Sequence, residues 1–429
     1  MTGIIFAVFF VCLILSFPLT VVMGYATVVP NFIDPNFSGN LQFVVRSLIG
    51  GLNVTTILAI PLFMLSGAIM SKGGLSQKLF DVFAIFIGKI RGGMPCAVVI
   101  TCLFYGAISG SGTATCAAVG AMCIPVLTNL GYDKKFSAAL VATSGGLGVI
   151  IPPSIPFIAY ALVTEVSVGS LFSAGILPGC LIALALMIYV QIYCRSKGED
   201  RVRIEAKYNQ LREKGILQVL RDGFWALLTP VIILGGIYSG IVTPTEAACV
   251  SVFYALIVCL FIYRSITFRE LLIFFREAFA SYAPMGLLMG LAQAFAKVLV
   301  LVNAPQELAD FLISAVNNKI VFLLLLNLLL LFIGMVMDVA PAMMILAPML
   351  LPFAISLGIN PIHLGVVMVC NLAIGFVTPP FGLNLFITAP MVDARSMEIG
   401  RKALPLIGTF LIALAIITYI PAVSLLLVK

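Results

Sequence analysis

Two short segments hold most of the chemistry that this chain places inside apolar sequence. SGSGTATCAAVG, residues 109–120, offers the hydroxyls of Ser109, Ser111, Thr113 and Thr115 among glycines that permit close approach. MVMDVAP, residues 335–341, puts the carboxylate of Asp338 into a long apolar stretch. A charged side chain at the centre of a membrane helix costs about 2.5 kcal/mol or more, so Asp338 reads as a ligand for an ion or substrate. It reads equally as the cap of a new half-helix, with Pro341 just behind.

Two further segments would break any helix that carried them. GGLGVIIPPSIPF (145–157) and NLAIGFVTPPFGLNLF (371–386) each set a proline pair after glycines. Proline removes its own amide and clashes with the preceding turn, so a regular helix is expected to end near Ile151. The carbonyls freed there cannot face lipid and must be buried in protein or line a polar cavity. Carbonyl oxygens are hard ligands, suited to a hard cation such as Na⁺. In the second segment Thr378 precedes the prolines, and Asn371 and Asn384 flank them.

The elements that position these residues follow from composition. The 429-residue chain is 62% hydrophobic and only 10% charged, less than half the charge of a soluble protein. Apolar runs of roughly 20 residues recur, each enough to cross a bilayer. This is a polytopic, all-α membrane protein, and the stretch 1–29 lacks the basic start and cleavage site of a secretory signal. Ten cysteines form no CxxC pair and His363 is the sole histidine, so no zinc, haem or disulfide framework is expected. Without a Walker motif, ATP drive within the chain is not expected either.

The second half repeats the first. Pro125, Gly131, Gly148, Pro152, Pro153 and Pro178 match Pro352, Gly358, Gly375, Pro379, Pro380 and Pro405, every pair at one constant offset along the chain. The expected organisation is an N-terminal span and loop over 1–49, then a first repeat over 50–195. That repeat holds an amphipathic arm (75–91), a re-entrant hairpin (95–130) and a broken helix (135–166). A cytoplasmic linker with scaffold spans follows over 196–277. The second repeat, 278–429, holds an arm (303–318), a hairpin (320–357) and a broken helix (362–391).

Lysine and arginine placement orients the chain. With two-piece elements that enter and leave on one side, 20 of the 24 basic residues fall inside, eight of them in the loop 195–221. The N terminus is then cytoplasmic and the C terminus periplasmic. The two repeats are inverted relative to each other, the sequence pointer to a secondary transporter. Lys297 reads as snorkelling to the outer surface or as a counter-charge for substrate, Glu246 as capping a helix after Pro244, and Trp225 as an interfacial anchor.

GAISGSGTATCAAVGAM, GGLGVIIPPSIPFIAYA, GIYSGIVTPTEAA and NLAIGFVTPPFGLNLF resemble the large membrane subunit of TRAP transporters, the tripartite ATP-independent periplasmic carriers. The resemblance spans nearly the whole chain. It implies a sodium-driven importer of an organic anion, a C4-dicarboxylate or sialic acid, in the bacterial inner membrane, working by an elevator mechanism. It implies a small four-helix membrane partner, here a separate chain, and a soluble periplasmic binding protein. No nucleic acid partner is expected, and the chain is not an enzyme. One Na⁺ site would use Ser109 and Ser111 with carbonyls around Gly145, Gly148 and Pro152. The other would use Asp338 with Gly375, Thr378 and Pro379, giving two or more ions. Substrate would lie between the tips, against Ser111, Thr113, Thr115, Asp338 and Asn384. A stand-alone cation-coupled carboxylate carrier is the alternative within transport. An intramembrane protease built on Asp338 lacks the second carboxylate that such chemistry needs.

Overall fold

The computed structural model describes residues 1–15, 17–213, 215–304, 306–307 and 318–428. Among them the chain is helical throughout. The first helices are α1 (Thr2–Ile14), α2 (Leu19–Ile33), α3 (Leu41–Leu52), α4 (Ala59–Lys72) and α5 (Leu75–Ile87). Next come α6 (Gly93–Ser109), α7 (Gly112–Asn129), α8 (Lys134–Gly145), α9 (Ile155–Thr164) and α10 (Val168–Lys197). The middle holds α11 (Arg201–Glu213), α12 (Ile216–Tyr238), α13 (Pro244–Ile257) and α14 (Phe268–Leu301). The last are α15 (Lys319–Val336), α16 (Val339–Ser356), α17 (Pro361–Gly375), α18 (Leu383–Thr388), α19 (Ser396–Tyr419) and α20 (Ala422–Leu425). Nine segments among the described residues are long and apolar enough to cross a membrane.

Local chemistry sets the boundaries. Asn40, Ser111, Asp133, Ser154, Ser167, Asn318, Asp338 and Asn360 each precede a helix and accept an amide of its first turn through the side chain, satisfying donors that apolar surroundings would leave bare. Glu246 completes a capping box, taking the Thr243 amide at 2.7 Å, the role expected for it. Helix α14 has 34 residues, about 51 Å at 1.5 Å per residue and far longer than a bilayer core.

Several elements differ from the expectation. Residues 1–49, expected as one span and a loop, form α1, α2 and α3, because Pro18 stands in extended backbone and starts a new helix. Beyond α3, a short 3-10 turn (Thr55–Leu58) runs into α4, and the two together are long and apolar enough to cross a membrane. The α-helix of the first broken segment stops at Gly145, well short of Ile151. Gly146–Val149 tighten into a 3-10 turn ahead of the prolines, which they can do because glycine resists no backbone change. In the linker, α11 is mostly exposed and buries only Ile204 and Leu211. In the second arm, 303–318, residues 305 and 308–317 lie outside the described residues.

The helices pack in two groups. Helices α2, α3, α4, α12, α13 and α14 pack on one another, α4 against α13 and α14 against α3. Helices α6–α10 and α15–α19 form the other group. Within it the halves of the chain interlock, α8 against α18 and α19, and α9 against α16. Small residues permit this closeness: Gly106 meets Gly148, and Gly334 meets Gly375, with backbone on both sides.

Candidate functional site

Helix α6 ends at Gly110, whose φ of 63° turns the chain sharply enough for α7 to return. Ser111 is the N-cap of α7, an 18-residue helix. The second half repeats the figure at the same offset: α15 ends, Met337 is extended, and Asp338 is the N-cap of α16, also 18 residues. The Asp338 carboxylate accepts the Val339 amide at 2.6 Å. Capping and a binding role are therefore compatible here, since the second carboxylate oxygen takes no part in that bond.

The hydroxyls of the first tip divide into two pairs. Ser109 and Thr115 are buried and face each other at 2.9 Å, and Thr115 also donates to the Ser111 carbonyl at 2.8 Å. Ser111 and Thr113 form the outer pair, 3.1 Å apart. The buried pair braces the tip, and the outer pair is presented to the space in front of it.

Both tips open on one cavity of about 860 Å³, lined by Ser109, Ser111 and Thr113 from the first and by Asp338, Ala340 and Pro341 from the second. The opposite wall comes from the other helix group: Ser71 and Lys72 of α4, and Glu277 and Ser281 of α14. Two helix N-termini, those of α7 and α16, thus meet at the same space and make it favourable for an anion.

The first break reaches the cavity wall through Val149, Ile155 and Pro156, and it is packed directly against the first tip. A Cβ built on Gly148 would stand 2.6 Å from the Ser111 carbonyl oxygen, and one on Gly110 would stand 2.7 Å from that of Pro153. The amide of Ile155 also donates to the Gly110 carbonyl at 3.3 Å. The first break is thereby locked to the first tip, which brings Ser109, Ser111, Thr115 and Gly148 together. Gly145 and Pro152 are buried in the same layer.

In the second break Thr378 donates to the Ile374 carbonyl at 2.8 Å, which also accepts the Val377 amide at 3.1 Å. Gly375 packs on Gly334, and Pro379 on Gly400. In both breaks the peptide joining the two prolines is cis. Asn384, expected at the substrate, is fully buried outside the cavity and donates to the Ala142 carbonyl of the first broken segment at 2.8 Å. It joins the two breaks instead.

Lys72, Ser71, Glu277 and Ser281 were not singled out from the sequence. Their signal was weak: Glu277 and Ser281 stand four apart, on one helix face, across the expected boundary between the linker (196–277) and the second repeat (278–429).

Known proteins place this architecture. The family model described as "Tripartite ATP-independent periplasmic transporter, DctM component" matches residues 6–423. The chain belongs to the DctM family of TRAP transporter large permeases. The C4-dicarboxylate TRAP transporter large permease protein DctM of Pseudomonas aeruginosa is 43% identical over 86% of this chain and 85% of its own length. The sialic acid TRAP transporter large permease protein SiaM of Vibrio cholerae is 34% identical over 91% of this chain and 90% of its own length. The isethionate TRAP transporter permease protein DctMQ of Oleidesulfovibrio alaskensis is 39% identical over 98% of this chain, which spans 65% of that longer relative. These relatives are transporter subunits, not enzymes. The fold of this DctM chain is shared with the Alcanivorax borkumensis YdaH transporter, with a TM-score of 0.62 at 16% identity over 89% of this chain and 88% of that one. Neisseria gonorrhoeae MtrF follows at 0.58 and 17% identity, over 88% of this chain and 83% of its own.

Proposed function

We propose that this DctM chain is the permease subunit of a sodium-coupled importer of an organic anion in the bacterial inner membrane. The observation that carries the reading is the meeting of Ser111 and Asp338, the caps of two half-helices, at one cavity. Converging helix N-termini and tip hydroxyls suit a carboxylate, a sulfonate or an acidic sugar. Relatives named for isethionate, C4-dicarboxylates and sialic acid fall within that range. The breaks, rich in buried oxygens, suit two or more Na⁺ ions as the coupled cargo.

The route of movement follows from the same layout. The tips and breaks belong to one helix group, and Lys72 and Glu277 to the other. In an elevator the first group carries substrate past the second, and the halves of the chain act as inverted repeats. The loop after α10, with its basic residues, lies in the cytoplasm and the C terminus in the periplasm. A cytoplasmic N terminus then requires that α1 and α2 together cross the membrane once. In this orientation Lys72 ends α4 on the cytoplasmic side and Glu277 lies in the cytoplasmic third of α14, so the cavity faces inward. A small four-helix membrane subunit and a soluble periplasmic binding protein complete the carrier.

Uptake by proteoliposomes tests this. The chain is reconstituted with its membrane partner and supplied with labelled isethionate, C4-dicarboxylates or sialic acid under an inward Na⁺ gradient. Uptake that needs both the gradient and the binding protein is expected. Sodium-driven uptake without the binding protein would leave the stand-alone carrier, and uptake indifferent to sodium would remove the ion from the mechanism.

A further inference from the structure

Among the described residues, four buried side-chain polar atoms have no hydrogen-bond partner: Ser144 Oγ, Asn371 Oδ1, Asn384 Oδ1 and Glu199 Oε2. All four are oxygens, and three of them lie in the two broken segments. Burying a polar group without a partner costs about 1–3 kcal/mol, and such groups otherwise find a ligand, an ion or a water. Asn371 Oδ1 and Asn384 Oδ1 are amide carbonyl oxygens that can only accept, so a donor or a cation is what would satisfy them, whereas Glu199 Oε2 already faces Arg201 at 3.5 Å. Ser144 and Asn371 are also repeat mates, related by the same offset in numbering as the two tips.

The orientation of Asn371 is dictated by its neighbours. Its Nδ2 lies 2.9 Å from the backbone carbonyl of Asn327 on α15, a group that can only accept, so this end of the amide must be the NH2. The same Nδ2 lies 2.6 Å from Asn327 Oδ1. Asn327 is itself fixed, because its Nδ2 meets the Leu323 carbonyl at 2.7 Å and Thr418 Oγ1 at 3.3 Å. Both hydrogens of Asn371 are thus spent on α15. Its oxygen has no partner and is buried, on a residue one helical turn or about 6 Å before Gly375 at the second break.

We propose that Asn371 Oδ1 is a ligand for a sodium ion at the second break, with Asn327 as the residue that positions it. The proposal rests on the sodium-coupled reading above and names residues within it. Ser144, in the same register of the first segment, supplies the corresponding oxygen there. Asn327 touches no ion. It removes the alternative in which the Asn371 amide rotates and offers its NH2, which would repel a cation. Thr418 holds Asn327 in turn, and its carbonyl receives His363 at 3.1 Å, so the chain of bonds reaches α19.

The test uses the full chain in nanodiscs for binding and in proteoliposomes with its partners for uptake. Sodium chloride is titrated against choline chloride, and the melting temperature gives a readout independent of transport, because a ligand of the folded state raises it. For Asn371→Leu, the sodium concentration giving half-maximal stabilisation and half-maximal uptake is expected to rise 5–10-fold, with the substrate KM at saturating sodium unchanged. Asn327→Leu is expected to raise the same constant, and the double variant to add nothing to Asn371→Leu. Asn371→Ser, which copies the residue at 144, keeps a shorter oxygen and is the variant to use if Asn371→Leu does not fold. Its expected rise is 2–5-fold. Wild-type sodium constants in these variants would overturn the proposal while leaving the sodium-coupled reading intact. If the unaltered chain shows no sodium response in either assay, both fall together.

Discussion

Ser111 and Asp338 occupy the same position in two halves of one chain. Each caps an 18-residue helix at the tip of a helix pair, and both line the same cavity. The pairing is chemically unequal, a hydroxyl against a carboxylate. The first tip closes its network with its own hydroxyls, Ser109 on Thr115 and Ser111 on Thr113. The second has one charged group, which takes the backbone amides at the start of α16. A charge there favours the helix N-terminus that it caps and can also hold a cation.

Asp338→Asn separates the two roles of that carboxylate. Asparagine caps helices about as well as aspartate, so melting temperature in the absence of sodium is expected to stay close to that of wild type. Uptake is expected to fall at least tenfold. Asp338→Ala is expected to lose uptake and, with the cap gone, about 1 kcal/mol of stability. Equal uptake by Asp338→Asn and wild type would reduce Asp338 to a cap.

Gly148→Ala places a methyl group between the first break and the first tip, 2.6 Å from the Ser111 carbonyl oxygen. Overpacking of a closed contact costs about 1–3 kcal/mol, and the tip must shift to relieve it. A lowered melting temperature and uptake reduced tenfold or more are expected. Gly408→Ala in α19 meets nothing within 4 Å and is the control, expected to be neutral or slightly stabilising in the same two measurements.

Lys72 is a cation in the cavity wall, facing tips whose substrate is anionic in our reading. Lys72→Gln is expected to raise the substrate KM 3–10-fold with little change in kcat. The difference should shrink as ionic strength rises tenfold to about 0.5 M, because exposed charges are screened. A salt-independent effect would assign Lys72 a packing role.

A further prediction concerns the base of the first helix pair. The Glu199 side chain is only 2% exposed. One of its oxygens takes the Gly92 amide at 2.9 Å and the Tyr132 hydroxyl at 2.5 Å, and Arg201 lies 3.5 Å from the other. The two ends of the pair, before α6 and after α7, are thus tied to the end of α10. Tyr132→Phe leaves that carboxylate one donor short and is expected to cost about 1–3 kcal/mol, read as a drop in melting temperature. The exposed pair between Lys135 and Glu398 is the comparison, since removing either side chain of a surface pair changes stability little.

Much of the fold was legible in the order of residues. Apolar runs, capping residues and proline pairs act locally, so the places where helices start and stop could be read from short windows. Where that failed, a local signal was overlooked. Pro18 divides the N-terminal apolar stretch into α1 and α2, and the glycines at 145, 146 and 148 end a helix before the prolines reach it. The tips were legible for the same reason, because hydroxyls and a carboxylate in apolar sequence have few uses.

The sequence by itself determined which residues carry polar chemistry into the membrane and at what spacing they recur, since composition, caps and helix breakers work over a few residues. Only the tertiary structure decided which of them share a space. Ser111, Thr113 and Asp338 were brought to one cavity, and Lys72 and Glu277 were set opposite. Asn384 was withdrawn to bond with Ala142, and Asn371 had its amide nitrogen committed to Asn327. Those choices depend on contacts between helices far apart along the chain, where close packing and the demand that every buried donor find an acceptor select one arrangement.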